Sequence, residues 1–170
     1  MRLRDVSPDD LDAYVRMRCD PGMMAHLGGP QPPEDMPALV LRDAGKAAAD
    51  LAWIKMIVPD PATAPEVVAG TVNLWSHETD DGPVSEIGWM ILPEHQGRGL
   101  GKRAVRTLLE QARDAGRWGV VHAYPSTGNA ASNGICRSVG FRFVAETEVP
   151  FAGRMFTVNH WSIDPATDLA

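Results

Sequence analysis

Cysteine is scarce in this chain: two among 170 residues, Cys19 and Cys136. No CxxC pair exists, which removes the usual spacing of a zinc site, and no metal is expected. A disulfide is open but unneeded, because a domain of this length buries roughly 70% of its unfolded surface without staples. A reducing compartment fits such cysteine usage better. Long apolar runs are missing as well, with nothing near the ~18 residues that span a bilayer. The opening MRLRDVSPDD turns polar at once and lacks the apolar core of a signal peptide. Basic surplus is absent: Lys and Arg number 16 against 22 Asp and Glu, for a net charge of −6. That argues against nucleic acid or a membrane as partner. It mildly favours cationic partners such as amines, although solubility alone is the better account of an acidic balance. With 44% hydrophobic and 22% charged residues, the chain is expected to be one cytoplasmic globular domain over 1–170.

The order of elements follows from period and punctuation. Ser7-Pro8-Asp9-Asp10 reads as a helix start, running to about Arg18. Residues 21–33, PGMMAHLGGPQPP, are turn-rich, and a helix is expected from Glu34 to about Ala49. Strands are expected at 51–58, 67–75 and 84–92, joined by turns at 59–66 and 78–83. That is an antiparallel meander. A helix over 98–115 carries the apolar stripe Leu100, Ala104, Val105, Leu108, Leu109 and Ala112, with Gly116 as its stop. A strand at 118–124, a helix from Asn129 to Val139, and strands at 141–149 and 154–163 complete an α+β domain. It has a mostly antiparallel sheet of six or seven strands and about four helices.

Residues 95–104, HQGRGLGKRA, pose the functional question. Gly97, Gly99 and Gly101 alternate where a strand hands over to a helix. The first N–H groups of a helix lack intrahelical partners, and the helix dipole adds positive charge there. Glycines clear side chains from this end, so a pyrophosphate is the natural guest, with Arg98, Lys102 and Arg103 adding charge. Two common phosphate motifs fail. The GxxxxGK[ST] pattern meets Gln96 and Arg103 at required positions, and GxGxxG meets Lys102 or Ala104 where its last glycine belongs.

The run Ile91-Leu-Pro-Glu-His-Gln96-Gly97-Arg98-Gly99-Leu100-Gly101 resembles motif A of the GCN5-related N-acetyltransferases (GNAT), whose pattern Q/R-x-x-G-x-G/A is filled by Gln96, Gly99 and Gly101. A second segment, Asn129-Ala-Ala-Ser132-Asn133…Gly140-Phe141, resembles the family's N-x-x-(A/S)…GF stretch. Together EIGWMILPEHQGRG and NAASN are similar to the subgroup that acetylates N-termini of ribosomal proteins. The resemblance implies a GNAT-type fold with two splayed central parallel strands and acetyl-CoA as cosubstrate. It places the pyrophosphate on Gln96, Gly97, Arg98, Gly99, Leu100, Gly101 and Lys102. It lays the pantetheine arm along the backbone of Trp89, Met90 and Ile91, and puts Asn129 and Ser132 against the CoA.

Acetyl transfer to an amine needs a base, an oxyanion donor and a proton for the leaving thiolate. A backbone N–H such as that of Ile91 serves the second need. Glu86 is the first candidate for base, sharing a strand face with Gly88 and Met90. His122 is second, and an amine arriving neutral is a third route. For the proton donor, Cys136 stands where many family members carry tyrosine, and Ser132 is the alternative. Asn129, Ser132 and Cys136 share a helical face by spacing, with Ala131, Ile135 and Val139 as the expected core stripe beside it. Cys136 as a nucleophile lacks an identifiable activating base. His26, His77, His95 and His160 read as loop or surface residues. The acceptor pocket is expected from loop 21–33, strand 84–90 and tail 150–161, with Met155, Phe156 and Trp161 either lining it or in the core. The acceptor is a primary amine, either a small molecule or a protein N-terminus, and a homodimer is compatible. The rivals are a non-catalytic acyl-CoA-binding protein on the same fold and a nucleotide-binding module.

Overall fold

The computed structural model describes residues 1–79, 82–151 and 153–169. Asp80 and Asp81 of the expected turn at 78–83, and Ala152 of the expected tail segment, lie outside them. Seven strands form one sheet in the order β1-β2-β3-β4-β5-β7-β6. They are β1 (Arg2–Asp5), β2 (Ala52–Val58), β3 (Gly70–Thr79), β4 (Gly82–Ile91), β5 (Val121–Ala123), β6 (Arg142–Phe151) and β7 (Arg154–Ile163). Every neighbouring pair is antiparallel except β4 and β5. The helices are α1 (Leu11–Arg18), α2 (Met36–Ala48), α3 (Leu100–Ala115), α4 (Ala130–Val139) and a short α5 (Pro165–Asp168). No helix of the described residues is long and apolar enough to cross a membrane.

Strand alternation sends side chains to two cores, one on each face of the sheet. Val72, Leu74, Ile87 and Val121 pack against the α3 stripe, all six of whose members are buried as the periodicity predicts. Ile54, Met56 and Met90 pack on the opposite face against Tyr14, Met17, Met36 and Val40 of α1 and α2. Helix α3 stops where expected: Gly116 adopts φ +67° and its N–H bonds back to the Ala112 carbonyl.

Besides shifts of up to three residues at other ends, such as β3 beginning at Gly70 rather than 67 and α2 at Met36 rather than Glu34, three features differ from the sequence expectation for local reasons. The β3–β4 hairpin extends through Thr79↔Gly82, because Ser76 to Thr79 continue the ladder as an exposed ribbon although their polarity reads as turn. β5 is only three residues, not 118–124. The Trp118 carbonyl is taken by Ser85 Oγ at 2.6 Å, and Gly119 turns to φ +59°. α5 has no counterpart in the sequence expectation; Asp164 caps it by accepting the Ala166 N–H, and Pro165 opens it.

Asn133 is the polar keystone under α4. Its Nδ2 donates to the carbonyls of Ser126 and Asn129 at 2.9 and 2.8 Å. Its Oδ1 accepts from Asn159 Nδ2 and Trp161 Nε1 at 2.8 and 3.0 Å. Four bonds therefore tie α4 to the loop before it and to β7. This draws α4 about its axis relative to the expected stripe. Asn133, Cys136 and Val139 are buried, while Ala131 and Ile135 are not. Replacing Asn133 by alanine strands the buried Trp161 Nε1, at about 1–3 kcal/mol, and removes three half-buried hydrogen bonds besides. Urea denaturation of Asn133→Ala is expected to show a loss of roughly 2–4 kcal/mol.

Candidate active site

β4 and β5 are in register at Ser85↔Val121 and Glu86↔His122 and then part. β5 stops at Ala123, and Pro125 soon after has no N–H to offer. β4 runs on to Ile91 with its other edge held by β3. Residues 87–91 therefore present an edge unpaired on the β5 side, among the described residues. A cleft of about 1240 Å³ opens here and reaches both faces of the sheet. Gly97, Gly99, Gly101, Lys102, Asn129, Ser132 and Ile135 line it on the α3–α4 side. Glu86, Gly88, Met90 and Trp75 line it on the α1–α2 side.

The three glycines serve two different needs. Gly97 and Gly99 hold φ of +72° and +70°, a left-handed conformation that favours glycine, and a Cβ at either would meet nothing within 4 Å. Gly101 instead permits close packing: a Cβ there would lie 2.8 Å from Ile135 Cδ1 and 3.4 Å from Ile91 Cγ1. Arg103 makes the first backbone bond of α3, to the Gly99 carbonyl, so Leu100, Gly101 and Lys102 present N–H groups at the helix mouth. The Leu100 side chain is in the core. Lys102 reaches the cleft wall, whereas Arg98 is exposed and off it. Gln96 uses its side chain internally, donating from Nε2 to the Ile91 carbonyl at 2.8 Å, which fixes the turn to the end of β4. Among the described residues, two on the cleft carry buried polar atoms without a partner, Trp89 Nε1 and His95 Nδ1. His95 is therefore a cleft residue and not the plain surface residue its sequence suggests.

Glu86 faces the cleft with little water around it, and burial pushes its carboxyl up to about 7. His77 Nδ1 stands 3.9 Å from Oε2, beyond hydrogen-bond length. His122, the second candidate, is not on the cleft wall. Its Nδ1 lies 2.7 Å from His160 Nε2, so His160 is a half-buried strand residue rather than a surface one. Burial lowers the pKa of both rings. Tyr124, which no sequence motif singles out, lies on the wall and stacks on His160 with ring centroids 4.7 Å apart. Burial and the Glu86 charge raise its phenol, which therefore stays protonated.

On α4, Asn129 caps the helix by accepting the Ser132 N–H at 3.0 Å. Both residues line the cleft, and the Ser132 hydroxyl has no partner among the described residues. Cys136 is elsewhere. It is 0% exposed in the α3-side core, and burial pushes its thiol up to about 12. Cys19 is also a free thiol. The expected tail contribution to the acceptor pocket is corrected too. Met155 is 58% exposed and Trp161 is in the core, and neither lines the cleft, nor does Phe156. Arg18, Arg42, Asp43 and Lys46 of α1 and α2 line it instead, with Met23, His26 and Leu27 of the following loop.

Residues 1–142 match the family model described as an acetyltransferase (GNAT) domain. The chain belongs to the GNAT acetyltransferase family. It resembles the L-amino acid N-acyltransferase MnaT of Escherichia coli (strain K12), with 38% identity over 66 residues. That stretch spans 39% of this chain and 37% of that protein. In fold it is similar to spermidine N-acetyltransferase from Vibrio cholerae, solved with CoA and spermine: TM-score 0.79, 17% identity, 99% of this chain and 98% of that one. It is also similar to the ribosomal-protein-S5-alanine acetyltransferase from Vibrio fischeri, with TM-score 0.77, 17% identity, and 99% and 94% coverage. Acetyl-CoA is the cosubstrate of the GNAT family. The residues here fit it, with open N–H groups at α3, an unpaired β4 edge and an orphaned Trp89 Nε1 along one cleft.

The raised Glu86 carboxyl also links stability to pH. Its folded pKa lies above its unfolded value, so the proton is held more tightly when folded, and stability falls as pH rises through about 7. Glu86→Gln removes that penalty. Urea denaturation is expected to show the variant gaining roughly 2 kcal/mol more over the parent at pH 8 than at pH 5.

Proposed function

We propose that this GNAT protein transfers the acetyl group of acetyl-CoA directly to a primary amine. One observation carries this reading. A single cleft joins the α3 amides, the free β4 edge and a half-buried carboxyl at the place where the sheet parts. Acetyl-CoA supplies an activated thioester carbonyl. The N–H groups of Leu100, Gly101 and Lys102 and the Lys102 ammonium hold its pyrophosphate. The backbone of Trp89, Met90 and Ile91 pairs with the pantetheine arm as an added strand would, and Asn129 and Ser132 border it.

Glu86 accepts the proton of the acceptor ammonium. A carboxyl with a pKa of about 7 is suited to this, being largely ionised just above neutrality yet far more basic than an ordinary glutamate. The freed nitrogen forms the new C–N bond as the C–S bond breaks. The thiolate takes its proton from one of the two hydroxyls on the cleft wall, Ser132 or Tyr124. Cys136 is a packing residue in this scheme, because its thiol is sealed in the core.

The tests are kinetic. The parent enzyme is expected to show kcat/KM rising through about pH 7. Glu86→Gln is expected to lose roughly 10²–10⁴-fold and the pH 7 limb with it. Loss of kcat in Ser132→Ala or in Tyr124→Phe identifies the donor. Cys136→Ala is expected to lower stability while leaving the pH profile in place; a lost alkaline limb in that variant would contradict the assignment.

A further inference from the structure

The cleft has a second charged end, away from the glycine turn, walled by α1 and α2. Arg18, in the last turn of α1, lines it. Its guanidinium has no hydrogen bond or ion pair among the described residues, and burial lowers its pKa. The nearest acid, Asp43, is committed elsewhere. Its Oδ2 accepts the Tyr14 hydroxyl at 3.0 Å, and its Oδ1 accepts Nε and Nη2 of Arg42 at 3.2 and 3.1 Å. Asp20, also on the wall, accepts the Met23 N–H with its Oδ1. Arg42 and Lys46 line the same end. Three cations thus meet two engaged acids, in a chain whose net charge is −6.

A guanidinium withdrawn from water with its donors unused is costly. Its planar fork matches a carboxylate in two parallel bonds, which a lysine could not reproduce. A polyamine would place like charges against Arg18, Arg42 and Lys46. We propose that Arg18 binds a carboxylate of the acceptor, so that the substrate is a small amine that also carries a carboxylate, an amino acid in the broad sense. The assignment rests on the acetyl-transfer reading and narrows its substrate class.

The test is run on the CoA-loaded protein, so that binding is read without turnover. Amino acids with one to five carbons between amine and carboxylate are titrated by calorimetry, each against its carboxamide. For at least one length the carboxylate is expected to bind at least tenfold more tightly than the carboxamide. In Arg18→Met that ratio is expected to collapse to within twofold of one. A ratio near one at every length in the parent protein overturns the assignment, and needs no variant to do so. A ratio that survives Arg18→Met overturns it as well. Acetylation of the same compounds is followed in parallel. A strong carboxylate preference without acetylation of any amine keeps the Arg18 site and removes acetyl transfer; acetylation with a ratio near one does the reverse.

Discussion

β4 and β5 are held together at two register positions, and the chemistry of the site depends on their parting so soon. Parallel strands normally keep an evenly spaced row of hydrogen bonds along the length they share. Here β5 is confined between the left-handed turn at Gly119 and the proline at position 125. It cannot follow β4 to its end. The exposed edge is a polar liability that an extended ligand relieves, because a buried N–H or C=O left unpaired is costly. Both flanking helices begin at the mouth of this opening, α3 after β4 and α4 after β5, and α3 brings its free N–H groups to it.

Charge is arranged around the same opening. The helix mouth and Lys102 are positive on one side, and Arg18, Arg42 and Lys46 are positive on the other. Glu86 is placed between these regions on the strand that bridges them, where burial keeps its carboxyl poised near neutrality. An acidic chain has therefore concentrated positive charge where phosphate and carboxylate groups would sit. Glu86, half-buried at the parting of the strands, lines the cleft between them, where the proposed reaction needs its base. Asn133, itself off the cleft wall, ties α4 to Ser126, Asn129 and β7, in the rotation that leaves Ser132 on the cleft and Cys136 in the core.

Much of this was legible in the sequence because it is written in short-range patterns. The α3 stripe, the glycine turn, the start of α4 near Asn129 and the face of Glu86 each follow from local periodicity or from a motif. What was missed depends on tertiary contacts. Cys136 and Ser132 look equivalent by helical spacing, and tertiary contacts, the four bonds of Asn133 and the packing of α4 on the core, decide which is buried. Tyr124 reads as the last residue of a strand, whereas β5 ends at Ala123 and leaves Tyr124 on the wall. Arg18 looks like ordinary positive charge at a helix C-terminus. Its isolation emerges only once Asp43, 25 positions along the chain, is seen to be engaged by Tyr14 and Arg42. Gly101 shares its spacing with Gly97 and Gly99, but its missing side chain answers to the close approach of Ile135 and Ile91 rather than to a left-handed turn.

The most direct test is amide hydrogen exchange with and without acetyl-CoA. New protection is expected in two separate segments, residues 89–91 on the free edge of β4 and residues 98–102 at the start of α3, with ATP producing neither. Acetyl-CoA binding that leaves both segments unprotected, or no binding at all by the folded protein, would contradict the assignment of this cleft.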